Sequence, residues 1–87
     1  MSICGGWSQP KEITDDVREH LNTLRNQVEI QKPYGQYDPI SYRTQVVAGV
    51  NYRVRIRHDE CKYYEVLYFC GLDGVLQLNQ IYDIEDA

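Results

Sequence analysis

The chain changes its hydrophobic period once, and that change limits the fold more than any other feature. Ile13, Val17, Leu21, Leu24 and Val28 recur at steps of three and four, which places them in one stripe on a helix. After Pro39 the period is two. Ile40, Tyr42, Thr44 and Val46 alternate with Ser41, Arg43 and Gln45, and Tyr52, Val54 and Ile56 alternate with Arg53, Arg55 and Arg57. One amphipathic helix cannot bury its own stripe, so it must lie on a sheet.

The helix is predicted from Pro10 to about Ile30, with two starts open. Ser8 or Gln9 caps a helix with Pro10 early in it, or Thr14 caps a shorter one followed by Asp15 and Asp16. Glu12, Asp15 and Asp16 suit the positive end of the dipole. Pro33 and Gly35 end the segment on either reading. Ala48-Gly49 then reads as a tight reversal and His58-Asp59-Glu60 as the next turn. Residues 62–69 form a strand with large side chains on both faces. Gly71-Leu72-Asp73-Gly74 breaks that run. Val75–Tyr82 is the last strand, with Val75, Gln77, Asn79 and Ile81 on one side and Leu76, Leu78, Gln80 and Tyr82 on the other. The last five residues read as frayed. The expected fold class is α+β, one helix followed by a meander of four antiparallel strands. The arginines between Tyr52, Val54 and Ile56 are expected to form a solvated face.

With 87 residues there is room for one small domain. A net charge of −4 argues against a nucleic-acid partner, and no run of about 20 apolar residues is present to span a membrane. Residues 1–7 show neither a basic leader nor an apolar stretch, which reads as no secretory signal. Cys4, Cys61 and Cys70 are an odd number and read as free thiols of a reducing, cytoplasmic compartment. Neither their spacing nor the isolated His20 and His58 suggests a metal site, and no nucleophile–base pairing suggests an enzyme. No cofactor is expected.

The run Tyr42-Arg43-Thr44-Gln45-Val46-Val47-Ala48-Gly49-Val50-Asn51-Tyr52, preceded by an arm ending Cys4-Gly5-Gly6, resembles the stefins, the type 1 branch of the cystatin superfamily. The resemblance covers nearly the whole chain. It implies a cystatin-like antiparallel sheet wrapped around a single helix, residues 1–87 forming one domain with 1–9 as a flexible arm. It also implies a reversible, tight-binding inhibitor of papain-like cysteine peptidases such as cathepsins. The arm and two hairpin loops would enter the cleft together, through Ile3, Cys4, Gly5 and Gly6, through Gln45, Val46, Val47, Ala48 and Gly49, and through Leu72 and Asp73. Stefins usually carry a Leu-Pro-Gly-like second loop, and Leu72-Asp73-Gly74 departs from it by losing the ring that fixes a backbone torsion.

The residue types fit such a role. Val46 and Val47 supply compact apolar contact, Ala48 keeps the tip thin, Gly49 permits a close approach, and the Gln45 amide is placed to hold the loop. A Gly49→Trp change is expected to damage binding with the fold largely intact. Trp7 either packs against the body or adds interface area. The monomer is the expected active form, with strand exchange through the first loop as a route to a dimer. The rival reading is a cystatin-like fold put to a different binding use.

Overall fold

The structure, a computed structural model, describes residues 6–31, 38–59 and 62–85. In chain order the elements are β1 (Lys11–Glu12), α1 (Asp15–Gln31), β2 (Asp38–Val47), β3 (Gly49–Asp59), β4 (Lys62–Cys70) and β5 (Leu76–Glu85). The five strands form one sheet in the order β1-β2-β3-β4-β5, each pair antiparallel. A single helix packed on an antiparallel sheet is the architecture that the change of period requires.

The helix begins where Thr14 caps it. The Val17 amide donates to Thr14 Oγ1 (3.3 Å), and the Arg18 amide makes the first helical bond to the Thr14 carbonyl (3.0 Å). Asp15 and Asp16 occupy the first turn, where the dipole favours them. The longer start at Pro10 is therefore not taken. Lys11 and Glu12 pair instead with Tyr42 and Ser41, so Glu12 sits on a strand and the sheet has five members where four were expected.

Val17, Leu21, Leu24 and Val28 are buried against Val54, Ile56, Tyr64, Val66 and Tyr68. Stacking adds geometry to this burial. Tyr52 and Tyr68 lie nearly parallel with centroids 4.9 Å apart, and Tyr42 continues the row at 6.1 Å. His20 descends from the helix onto both, edge-on to Tyr52 at 5.0 Å and to Tyr68 at 5.5 Å. Four of the eight tyrosines, Tyr42, Tyr52, Tyr64 and Tyr68, belong to this inner layer.

Two expectations about the strands are corrected. In β5, Leu67 faces Gln80 while Tyr68 faces Leu78, so Asn79 is an extra residue at a bulge. The bulge exchanges the faces beyond it: Leu76, Leu78 and Ile81 all pack on the core, and Tyr82 turns outward. The strand also continues to Glu85, because Ile84 and Glu85 pair with Tyr63 and Lys62.

The outer face is not the solvated arginine stripe that alternation suggested. Glu65 is 6% exposed there and organises its neighbours. Tyr82 donates its hydroxyl to Glu65 Oε1 (2.6 Å), Arg55 donates to Oε2 (3.2 Å), and Arg53 Nε stands 3.6 Å from Oε1. Arg57 pairs with Asp38 at 3.1 Å. A buried carboxylate needs such charge-assisted partners to offset its desolvation.

Candidate functional site

Antiparallel pairing puts both hairpin tips at one end of the sheet. Val46 faces Val50, Val50 faces Cys70, and Cys70 faces Leu76, so one row of the sheet runs beneath both loops. The centres of the two hairpins are two strand spacings apart, about 10 Å. The segment before β1 reaches the same end. The Ser8 amide donates to the Thr44 carbonyl (2.8 Å), and the Thr44 amide donates to Ser8 Oγ (3.1 Å). Thr44 is the residue before Gln45, so residues 6–8 meet the sheet at the root of the first loop.

The first loop is as short as a hairpin connection can be. Val47 still faces Gly49, and Ala48 alone makes the bend. Asn51 Nδ2 donates to Gln45 Oε1 (3.1 Å), tying the two strands just below the tip. Gly49 is buried at φ 122°, and a Cβ there would stand 2.6 Å from the Cys70 carbonyl oxygen and 2.7 Å from the Phe69 ring. That backbone approach is open only to glycine. The expectation that Gly49→Trp would spare the fold is therefore corrected, because any side chain collides before a partner is met. Val46 and Ala48 are exposed, while Gln45 and Val47 are half-buried.

The second loop is held by hydrogen bonds. The Gly74 amide donates to the Gly71 carbonyl (2.9 Å), and the Gly71 amide donates to the Val75 carbonyl (3.0 Å). Gly74 takes φ 84°, the left-handed position that closes a three-residue hairpin loop. Asp73 Oδ1 accepts the Val75 amide at 3.0 Å. Asp73 thus replaces the torsional lock of a proline with an Asx-type bond, a compensation that the residue type permits and the sequence pattern did not reveal.

Of the five exposed large hydrophobic residues among those described, three lie at this end: Val46 (68%), Leu72 (88%) and Val75 (62%). Val75 was not singled out from the sequence, because it reads as the first residue of a strand. Ile3, Cys4 and Gly5 lie outside the described residues, and Gly6 is exposed. Cys70 is a free thiol, half-buried. Burial holds the His20 ring below its usual pKa, against the opposing pull of Asp16 and Glu19. Burial raises the phenols of Tyr52 and Tyr82, the latter helped by its bond to Glu65.

No protein-family model matches the chain. Curated relatives do. Cystatin-A of Felis catus is 36% identical over 72 residues, covering 80% of this chain and 74% of that relative. Cystatin-A of Homo sapiens is 35% identical over 74 residues, covering 83% and 76%. Leukocyte cysteine proteinase inhibitor 1 of Sus scrofa is 32% identical over 72 residues, covering 80% and 70%, and its name states its activity. The chain belongs to the stefin, or cystatin-A, family. Stefins are the intracellular branch of the cystatins and act as reversible, non-catalytic inhibitors of cysteine peptidases. The stefin fold accounts for the single helix and the five-stranded sheet.

Proposed function

We propose that the end of the sheet bearing Gln45–Gly49 and Leu72–Asp73, with Ile3, Cys4, Gly5 and Gly6 of the arm, is the wedge by which this stefin enters the cleft of papain-like peptidases such as cathepsins. The observation that supports it is the gathering of Val46, Leu72 and Val75, all exposed, at the one end where both hairpins turn. Surface apolar groups concentrated in this way mark a contact surface. Neither loop requires ordering on contact, since Asn51 fastens the first and Asp73 the second. About 800 Å² per partner is the size such a contact takes.

In this reading Val46, Val47 and Ala48 meet the cleft, Leu72 and Val75 meet its primed side, and the arm lies on the non-primed side. Gln45 and Gly49 act by shaping the tip. Residues 1–87 work as one domain in the cytoplasm, and the monomer is the active form. A dimer exchanging strands through Ala48 would straighten the one-residue hinge and remove the tip from reach.

The test is a titration of papain and a cathepsin with size-resolved monomer. Tight, reversible inhibition is expected, and Val47→Asp should weaken it about 100-fold, the effect of burying an unpaired charge in an apolar contact. A monomer without inhibition at micromolar concentration would overturn the proposal and leave a cystatin fold in another binding role.

A further inference from the structure

Trp7 is the single tryptophan of the chain, and it stands where the arm joins the body. Its ring lies over the Arg53 guanidinium, 4.6 Å from the guanidinium carbon to the ring centroid. That distance is well within the range of a cation–π contact. Arg53 is itself held in place. It faces Arg43 directly across the β2–β3 pair, a like-charge neighbour that would drive it aside without a compensating anion. Glu65 is that anion, 3.6 Å from Arg53 Nε. Its carboxylate is already bonded to Tyr82 and Arg55, so it holds Arg53 by charge, and the buried Nε makes no hydrogen bond among the described residues. With Glu65 holding it on one side, the guanidinium carbon stands over the indole.

The residue after Trp7 is locked as well. Ser8 exchanges two hydrogen bonds with Thr44, on β2 at the root of the first loop. The residue before it, Gly6, is exposed, and the space where its Cβ would stand is open to 4 Å. Trp7 is thus a side chain fixed to the body directly beside the exposed Gly6. The hydrogen bonds at Ser8 set where the arm meets the sheet, but they do not by themselves fix the backbone torsions of Trp7. A second attachment through the indole removes that freedom.

We propose that Trp7, seated on Arg53 and through it on Glu65, is the positioning residue of the N-terminal arm, fixing the direction in which the chain leaves the body at Gly6. This rests on the wedge reading above. Trp7 then acts through the arm and not as a peptidase contact of its own.

The test uses the full chain and a form lacking residues 1–5. In the free full-length protein, Arg53→Ala should red-shift the emission of Trp7 and raise its quenching by acrylamide, while Arg53→Lys gives a smaller change, since an ammonium lacks the planar face. Against papain, Trp7→Ala should speed dissociation about five-fold, the scale of a partly desolvated cation–π contact, with association nearly unchanged. Trp7→Phe should restore part of the loss. In the form lacking residues 1–5, Trp7→Ala should have no further effect. Emission and quenching unchanged by Arg53→Ala would overturn the seat. An equal effect of Trp7→Ala in both forms would overturn the positioning role, since a direct contact or a general loss of stability does not depend on the arm. Val47→Asp in the same assay separates the two readings. If it weakens binding while the arm comparison fails, the anchor falls and the wedge stands; if it inhibits like the parent protein, the wedge reading falls.

Discussion

At Gly49 a β-carbon would meet the Cys70 carbonyl at 2.6 Å, and the backbone is at φ 122°. Neither condition relaxes easily, because the obstacle is main chain in a paired strand. Gly49→Ala is expected to destabilise the fold by about 1–3 kcal/mol, read from the urea midpoint. Any loss of inhibition by that variant has to be judged against its loss of stability, which is why Val47 serves better as the probe of contact. Other single residues carry their reasons less visibly. The need for a glycine at position 49 was legible as a turn signal, but the atoms that forbid a side chain come from Phe69 and Cys70, about twenty positions further on. Asn51 likewise gave no signal by itself, and only the register opposite Gln45 explains it.

Among the elements, the second hairpin loop departs most from the family pattern and still reaches a defined shape. Asp73 supplies an acceptor where a proline would supply a fixed torsion. Asp73→Ala removes that acceptor and leaves the Gly71–Gly74 and Gly71–Val75 backbone bonds in place. Protection of the Val75 amide from hydrogen exchange is expected to fall roughly two- to ten-fold, the value of one net hydrogen bond at an exposed site. Unchanged protection would show that the backbone bonds suffice. The helix was the most legible element, since four of the five residues of its stripe are the four it buries, while Ile13 lies before its first turn. Its start was not. Both candidate caps obey the same local rules, and the choice of Thr14 depends on Lys11 and Glu12 finding strand partners in Tyr42 and Ser41. The last strand was legible in type but not in facing. A bulge at Asn79 inverts the alternation, and a period-two pattern cannot announce a residue that drops out of its own pairing.

For the whole molecule, the joint between helix and sheet is expected to weaken in acid. His20 is half-buried between Tyr52 and Tyr68, with Nδ1 3.0 Å from the Tyr68 hydroxyl, and Asp16 and Glu19 are its charged neighbours on the helix. Burial lowers its pKa in the folded protein below the usual 6.5, so the unfolded chain binds the proton more readily. Stability from this group is complete above about pH 6.5 and is lost as the pH falls through the folded-state value. Urea midpoints at about pH 7.5 and pH 5 are expected to drop more for the parent protein than for His20→Gln. An equal drop in both would place the acid sensitivity elsewhere.

Neighbours along the chain are enough to give the period of each element, the class of fold, and the run from Tyr42 to Tyr52 that resembles the stefins. These are local properties, since a helical stripe, an alternating strand and a turn each require only neighbours along the chain. Which carboxylates engage the arginines of β3 depends on the tertiary structure. Alternation shows that Arg53 and Arg55 leave the core, but cannot show that Glu65 from β4 and Tyr82 from β5 close around them. The tertiary structure also decided that Val46, Leu72 and Val75 share one end, because only antiparallel pairing carries positions so far apart in the chain onto neighbouring turns. The seat of Trp7 on Arg53 depends on the same pairing, which brings the start of the chain to the sheet beside the first loop.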